Sequence, residues 1–125
     1  MLAIAPGWEL KIERGPNCLL ARIVRAGEFD EHPALADELW AQMKRHMTYQ
    51  VVLEMDEVGR LDSFLLGQLV QLYKRVRDHD GLLRLCGLTE PDRHVLHLCQ
   101  LEGLLPAYRG REDALMGRFT PTQPR

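Results

Sequence analysis

Apolar and charged residues alternate in the first clearly patterned segment of the chain, residues 8–13. A period of two is typical of a β-strand with one buried and one wet face. The turn-forming residues 14–17 lead to a second apolar segment, residues 18–26, so the two segments predict an antiparallel hairpin. The charges of the first strand predict that it lies at the edge of a sheet.

A helical period follows the hairpin. Leu35, Leu39, Met43 and Met47 recur every four residues, which predicts an amphipathic helix ending near Met47. Pro33 is expected in the first turn of this helix, where a missing N–H is tolerated. The apolar and β-branched segment 51–56 then predicts a short strand that is covered on both faces.

The pattern of strand and helix repeats in the second half of the chain. A helix is predicted for residues 63–79, a strand for 82–88, a helix from Thr89 to about Leu101, an edge strand within 104–108 and a last helix over 112–118. The expected apolar positions of the first of these helices are Leu66, Leu69, Val70, Tyr73 and Val76. The order β-β-α-β-α-β-α-(β)-α predicts an α/β fold with a mixed sheet and about four helices.

Length and composition narrow the class of protein. The 125 residues suit one domain, which we place at 8–118, with an N-terminal extension over 1–7 and a flexible tail over 119–125. Sixteen basic and 18 acidic residues give a net charge of −2, which disfavours binding to duplex nucleic acid. No apolar run is long enough for a membrane span, and residues 1–7 do not resemble a signal peptide.

Three cysteines, Cys18, Cys86 and Cys99, have no paired spacing. We expect them to be reduced and structural, with Cys99 buried in the core, which suits a cytoplasmic protein. No metal, cofactor or catalytic residue is expected.

The polar loop between the strand at 51–56 and the next helix is the most informative segment. It ends in Asp62 and Ser63, and Asp56 and Glu57 add further negative charge. A phosphate on Ser63 would lie at a helix start, where unpaired N–H groups tolerate an anion, and would change what the loop can dock against. On local sequence alone, an Asp-Ser pair that caps the helix is the simpler interpretation.

Four motifs in the same order resemble the STAS domain of bacterial anti-sigma-factor antagonists. They are G-E-F-D at 27–30, V-V-L-E-M at 51–55, V-G-R-L-D-S at 58–63, and L-R-L-C-G-L at 83–88 followed by V-L-H-L at 95–98. The resemblance covers about 8–116 and implies a mixed sheet with helices. It also implies a binding switch and not an enzyme.

The resemblance assigns roles to individual positions. It implies that Ser63 is the phosphoacceptor of a partner kinase, that the unphosphorylated form binds an anti-sigma factor or serine kinase, and that a phosphatase reverses the modification. Asp30 and Asp62 match acidic positions beside that surface. Arg60 and Phe64 depart from the usual pattern, and the Asp-Ser-Phe loop resembles the scaffold proteins of stressosomes. We therefore expect Asp30, Arg60, Asp62, Ser63 and Phe64 to contact the partner.

Three alternatives stay open. The domain could be a constitutive scaffold or homo-oligomer in which Ser63 is only a helix cap. His94, His97 and Cys99 could belong to a metal or redox site, completed by His79 or Cys86. Ser63 could also be a nucleophile with a histidine such as His94 as its base, although no G-x-S-x-G motif surrounds it.

Overall fold

The computed structural model describes residues 2–15, 17–26 and 32–117. Its elements, in chain order, are β1 (Leu2–Ala5), β2 (Trp8–Gly15), β3 (Cys18–Arg25), α1 (Leu35–Arg45), β4 (Gln50–Glu57), α2 (Ser63–Asp78), β5 (Leu82–Cys86), α3 (Glu90–Leu98), β6 (Ala107–Tyr108) and α4 (Arg111–Met116). The predicted mixed α/β fold is confirmed, with six strands and four helices in the described residues.

The strands lie in the sheet in chain order, from β1 to β6. Strands β1, β2 and β3 pair antiparallel, whereas β3, β4, β5 and β6 pair parallel. The expected edge position of the 8–13 strand is wrong, because β1 covers β2 on its outer side. Leu2 and Ile4 of β1 pack against the core, so the segment 1–7 supplies a strand of the sheet.

The two faces of the sheet bury different amounts of apolar surface. One face carries the main core, in which Leu19, Ile23 and Leu53 of the central strands meet α1 and α2. The other face carries a smaller cluster, in which Leu20 and Val52 pack with residues from β5, β6 and α4. Strand β4 is therefore covered on both faces, as its apolar pattern predicts.

The buried face of α2 differs from the predicted one. Leu65, Leu69, Leu72 and Val76 are buried, at spacings of four, three and four. Of the predicted apolar positions, Leu66, Val70 and Tyr73 are only half-buried. Apolar residues occupy several neighbouring positions of this helix, so the sequence pattern is compatible with two adjacent helix faces as the buried one.

Several element ends also differ from the predictions. Helix α1 begins at Leu35, so Pro33 precedes its first turn, and the Ala36 N–H is satisfied by the Gln68 side chain of α2 at 2.9 Å. Helix α1 ends two residues early, at Arg45, and α3 ends at Leu98 instead of about 101. The short edge strand expected within 104–108 is confirmed as β6, whereas the last helix spans Arg111–Met116 and not 112–118. The predicted tail 119–125 lies outside the described residues.

This topology gives the molecule two distinct ends. The parallel strands β3 to β6 all finish at one end of the sheet, which we call the carboxyl pole, and all begin at the other, which we call the amino pole. The loop from β4 to α2 lies at the carboxyl pole. The helices that follow these strands run back toward the amino pole.

Candidate functional site

The start of α2 is held by Asp62 and leaves Ser63 exposed. Asp62 has extended backbone angles, and its Oδ1 accepts a hydrogen bond of 2.9 Å from the Leu65 N–H. This is the geometry of an N-cap. Ser63 is the first helical residue, and it is exposed. The interpretation of Ser63 as the helix cap is therefore wrong, because its neighbour performs that role.

Asp62 is also joined to β3. Its Oδ2 accepts a hydrogen bond of 2.9 Å from Nη1 of Arg25, the last residue of that strand. Partial burial raises the pKa of Asp62, but the Leu65 N–H and the Arg25 guanidinium outweigh it, and the net pKa lies below its ordinary value. The carboxylate beside Ser63 is thus ionised at neutral pH and fixed on both of its oxygens.

Aromatic rings extend the site from the start of α2 to the sheet. The Phe64 ring stacks on His32, with centroids 4.6 Å apart, and meets the edge of Trp8 at 5.6 Å. The Arg25 guanidinium lies over the Trp8 ring, 4.8 Å from its centroid. Phe64 is half-buried and packs against the core while its other side meets the exposed His32. The Phe64 side chain therefore packs against the core and also presents part of its ring at the surface.

The loop that precedes Ser63 is anchored from inside. Val58 and Leu61 are buried, and the Leu61 N–H donates a hydrogen bond of 3.1 Å to Oδ1 of Asp92, which is 7 % exposed. Gly59 has φ +76°, a conformation that favours glycine, and Arg60 points outward. Asp92 does not stand out in the sequence, since an acidic residue in the first turn of a helix is ordinarily explained by the helix dipole.

The other acidic residues near this pole are paired with arginines. Nη1 of Arg22 lies 2.9 Å from Asp56 and 3.1 Å from Glu57, and its Nη2 lies 2.7 Å from the buried Glu54. Arg111 of α4 contacts Glu54 from the other side at 2.6 Å. The predicted accumulation of negative charge over 56–62 is therefore largely compensated by arginines that are distant in sequence.

The pKa values of this network follow from its geometry. Burial raises the pKa of Glu54, but hydrogen bonds from Arg111 and Arg22 outweigh it, so the net pKa is lowered. Burial, together with Glu54 and Asp56, raises the pKa of the Cys86 thiol to about 12. Cys86 is therefore a protonated, unreactive thiol.

The alternative sites are not assembled in the described part of the chain. His94 and His97 face each other on α3, with ring centroids 6.2 Å apart, but no group of three metal-ligating side chains forms among the described residues. The expectation of a buried Cys99 is wrong, since this residue follows the end of α3 and is exposed. His94 contacts His97, and no contact with Ser63 is found in the described residues. Asp30 lies outside them.

The geometry defines a small α/β domain with an exposed serine next to a capped helix start. A family model described as "STAS domain" matches residues 9–114. The chain therefore belongs to the STAS domain family, as its motifs predict.

One known relative and two solved structures of the same fold are similar to this chain. An anti-sigma F factor antagonist of Paenibacillus polymyxa is 25% identical over 111 residues, which are 86% of this chain and 92% of the relative. A crystal structure of an anti-sigma factor antagonist from Mycobacterium paratuberculosis has a TM-score of 0.73 and 21% identity, and the match covers 92% of this chain and 97% of the other. The Bacillus cell fate determinant SpoIIAA, in its phosphorylated form, has a TM-score of 0.64 and 14% identity, with 87% and 98% covered.

None of the helices in the described ranges is long and apolar enough to cross a membrane.

Proposed function

We propose that this chain is a phospho-switchable protein-binding module of a bacterial partner-switching system. It binds an anti-sigma factor or serine kinase when Ser63 is unphosphorylated, and phosphorylation of Ser63 releases the partner until a phosphatase removes the phosphate. The observation that carries the proposal is the exposed Ser63 next to a helix cap made by another residue. The family and the anti-sigma F factor antagonist relative support it.

The chemistry of the helix start fits a reversible phosphate. The Asp62 side chain uses the Leu65 N–H, while the first N–H groups of a helix have no partner within it and point toward its start. These groups and the helix dipole tolerate a phosphate. A phosphate also adds about −1.5 to −2 charges beside the ionised Asp62, so it alters the docking surface without disturbing the core.

The proposed docking surface combines charge with aromatic area. Arg60 and Ser63 are exposed, and Asp62 and Phe64 are half-buried beside them. Aromatic side chains fixed by packing are common anchors in interfaces, and Phe64 is held by Trp8 and His32. Asp30, which lies outside the described residues, is proposed as a further partner contact because it matches an acidic position of the family motif. We infer a binding role for the site and not catalysis.

The test of phosphorylation benefits from the composition of the chain, because Ser63 is its only serine. We expect incubation with ATP and the partner serine kinase to add one phosphate, located at Ser63 by mass spectrometry. The Ser63→Ala variant should stay unmodified. Absence of label on Ser63, or equal label in Ser63→Ala, would contradict the proposal.

A second measurement separates the switch from the remaining alternatives. A serine nucleophile reacts with a fluorophosphonate probe, whereas a phosphoacceptor without a general base does not. We expect no fluorophosphonate label on Ser63. A constitutive scaffold would show the same partner binding and the same oligomeric state before and after phosphorylation.

A further inference from the structure

The exposed large apolar side chains of the described residues are concentrated at the amino pole, away from Ser63. They are Met47, Tyr49, Leu82, Leu98, Leu104 and Met116. Each lies at the start of a parallel strand, in the chain leading to one, or at the end of a helix that runs back from the carboxyl pole. Contiguous exposed apolar surface marks interaction sites in soluble proteins.

Three neighbouring clefts connect three of these side chains, Met47, Leu82 and Leu104. A cleft of about 420 Å³ is lined by Leu82 and Leu104 among others, and a neighbouring small one shares Leu82 with it. The small cleft shares Gln50 with a third, of about 500 Å³, whose wall includes Met47. A continuous groove therefore crosses the starts of β4 and β5.

The centre of this surface is held rigidly. The rings of Trp40, Tyr49 and His79 contact one another, with centroid distances between 4.8 and 5.5 Å. The Leu82 N–H donates a hydrogen bond of 3.0 Å to the Tyr49 carbonyl, which ties β5 to this cluster. An aromatic centre that is ordered before binding loses little side-chain entropy in an interface.

Charges are distributed unequally around the apolar centre. On the side of β2, β3 and α1 lie the exposed cations Arg14, Lys44 and Arg45. On the side of α2 and the α3–β6 connection lie the acidic residues Asp78, Asp80 and Glu102, together with the exposed Arg77, and Glu102 contacts His97 at 2.7 Å. Asp78 contacts Arg77 in an exposed pair at 3.3 Å, and the three carboxylates against this one guanidinium leave the side net negative. A two-fold rotation about the centre places the cationic side of one copy opposite the acidic side of another.

We infer that the amino pole binds a second copy of this chain in an isologous dimer. In such an interface the same patch is used on both copies, so an apolar centre meets an apolar centre and each cationic side meets an acidic side. The two carboxyl poles face outward, and each Ser63 stays accessible. This dimer is independent of the proposed phosphorylation of Ser63.

Sedimentation velocity of the full chain over a wide range of micromolar concentrations tests the dimer. We expect a concentration-dependent monomer–dimer equilibrium, whose dissociation constant rises about tenfold or more in Leu82→Asp. Met47→Asn should weaken the dimer while preserving the fold, because Met47 has φ +55° and asparagine tolerates that conformation. A wild-type protein that stays monomeric, or a dimer unaffected by both substitutions, would overturn the inference.

Charge reversal provides a sharper test of the two-fold arrangement. Arg45→Glu and Asp78→Lys should each weaken self-association, because like charges then face each other in both halves of the interface. An equimolar mixture of the two variants should recover dimers, since every facing pair is again opposite in sign. Lys11→Glu serves as the control, because Lys11 is an exposed residue of β2 that pairs with Arg22 in the second half of β3, away from the start of that strand. A mixture no more dimeric than its components would contradict the inference.

Discussion

At the scale of single residues, the Asp62 side chain fixes the geometry of the candidate site. Asp62 uses one carboxylate oxygen to cap α2 and the other to pair with Arg25, so one side chain joins the helix start to the end of β3. Because Asp62 makes both contacts, Ser63 is not needed as the helix cap, and it lies where a phosphate would be tolerated. The prediction of a capped helix start at Asp62–Ser63 was correct in kind, but the sequence could not separate the two residues.

Substitution of Asp62 separates its two roles. Asp62→Ala should lower the free energy of unfolding by about 1–2 kcal/mol, since it removes the N-cap and the ion pair. Asp62→Asn should cost less than about 1 kcal/mol, because asparagine caps as well as aspartate and loses only a partly exposed pair. Urea titration measures both. Equal losses in the two variants would show that the charge, and not the cap, holds the helix start.

At the scale of secondary-structure elements, helix α3 fixes the conformation of the loop between β4 and α2. The buried Asp92 of α3 accepts the Leu61 N–H, so a helix distant in sequence sets the shape of the loop that precedes Ser63. Side chains on both sides of the loop point into the core. The candidate surface is therefore rigid before any partner arrives.

The loop should loosen when this internal acceptor is removed. Asp92→Ala leaves a buried N–H unpaired, which should cost about 1–3 kcal/mol and speed hydrogen exchange at the Leu61 amide. Asp92→Asn retains an acceptor oxygen and serves as the matched control. Unchanged exchange at Leu61 in Asp92→Ala would contradict this role.

Whole-molecule electrostatics centre on Glu54, which is 4% exposed and contacts Arg22 of β3 and Arg111 of α4. Its net pKa lies below its ordinary value. The lowered pKa of a carboxylate means that its stabilising effect is complete above the pKa of the unfolded chain and is lost as the pH falls through the folded value.

The pH dependence of stability tests this network. The free energy of unfolding of the wild type should decrease as the pH falls from about 5 to about 3, since Glu54 and Asp62 must then be protonated. Glu54→Gln should be less stable by about 1–3 kcal/mol at neutral pH and should lose stability less steeply in acid. Parallel pH profiles would assign the acid sensitivity to other carboxylates.

The sequence predicted most of the architecture, because the central elements carry strong periods. The strand at β4 and the helix predicted from Thr89 are confirmed; Thr89 is the N-cap of that helix, and its Oγ1 accepts the Asp92 N–H at 3.3 Å. Strand β1 was missed because its four residues show no clear alternation. The pairs of Arg22 and Arg25 with their carboxylates also could not be predicted, since they join residues more than 30 positions apart.

The two poles of the molecule present different kinds of surface. The carboxyl pole presents Ser63 beside a fixed aromatic and charged surface, whereas the amino pole carries the exposed apolar side chains. Because these surfaces lie at opposite ends of the sheet, a change at one need not disturb the other. A phosphate on Ser63 should accordingly alter partner binding and leave the free energy of unfolding within about 0.5 kcal/mol.

The most direct test of the switch is the affinity of the partner serine kinase or anti-sigma factor for this protein before and after phosphorylation, measured by isothermal titration calorimetry. Unmodified protein and Ser63→Ala should bind, and protein carrying phosphate on Ser63 should bind at least about tenfold more weakly, which corresponds to about 1.4 kcal/mol. Equal affinity of the modified and unmodified proteins would contradict the proposed function.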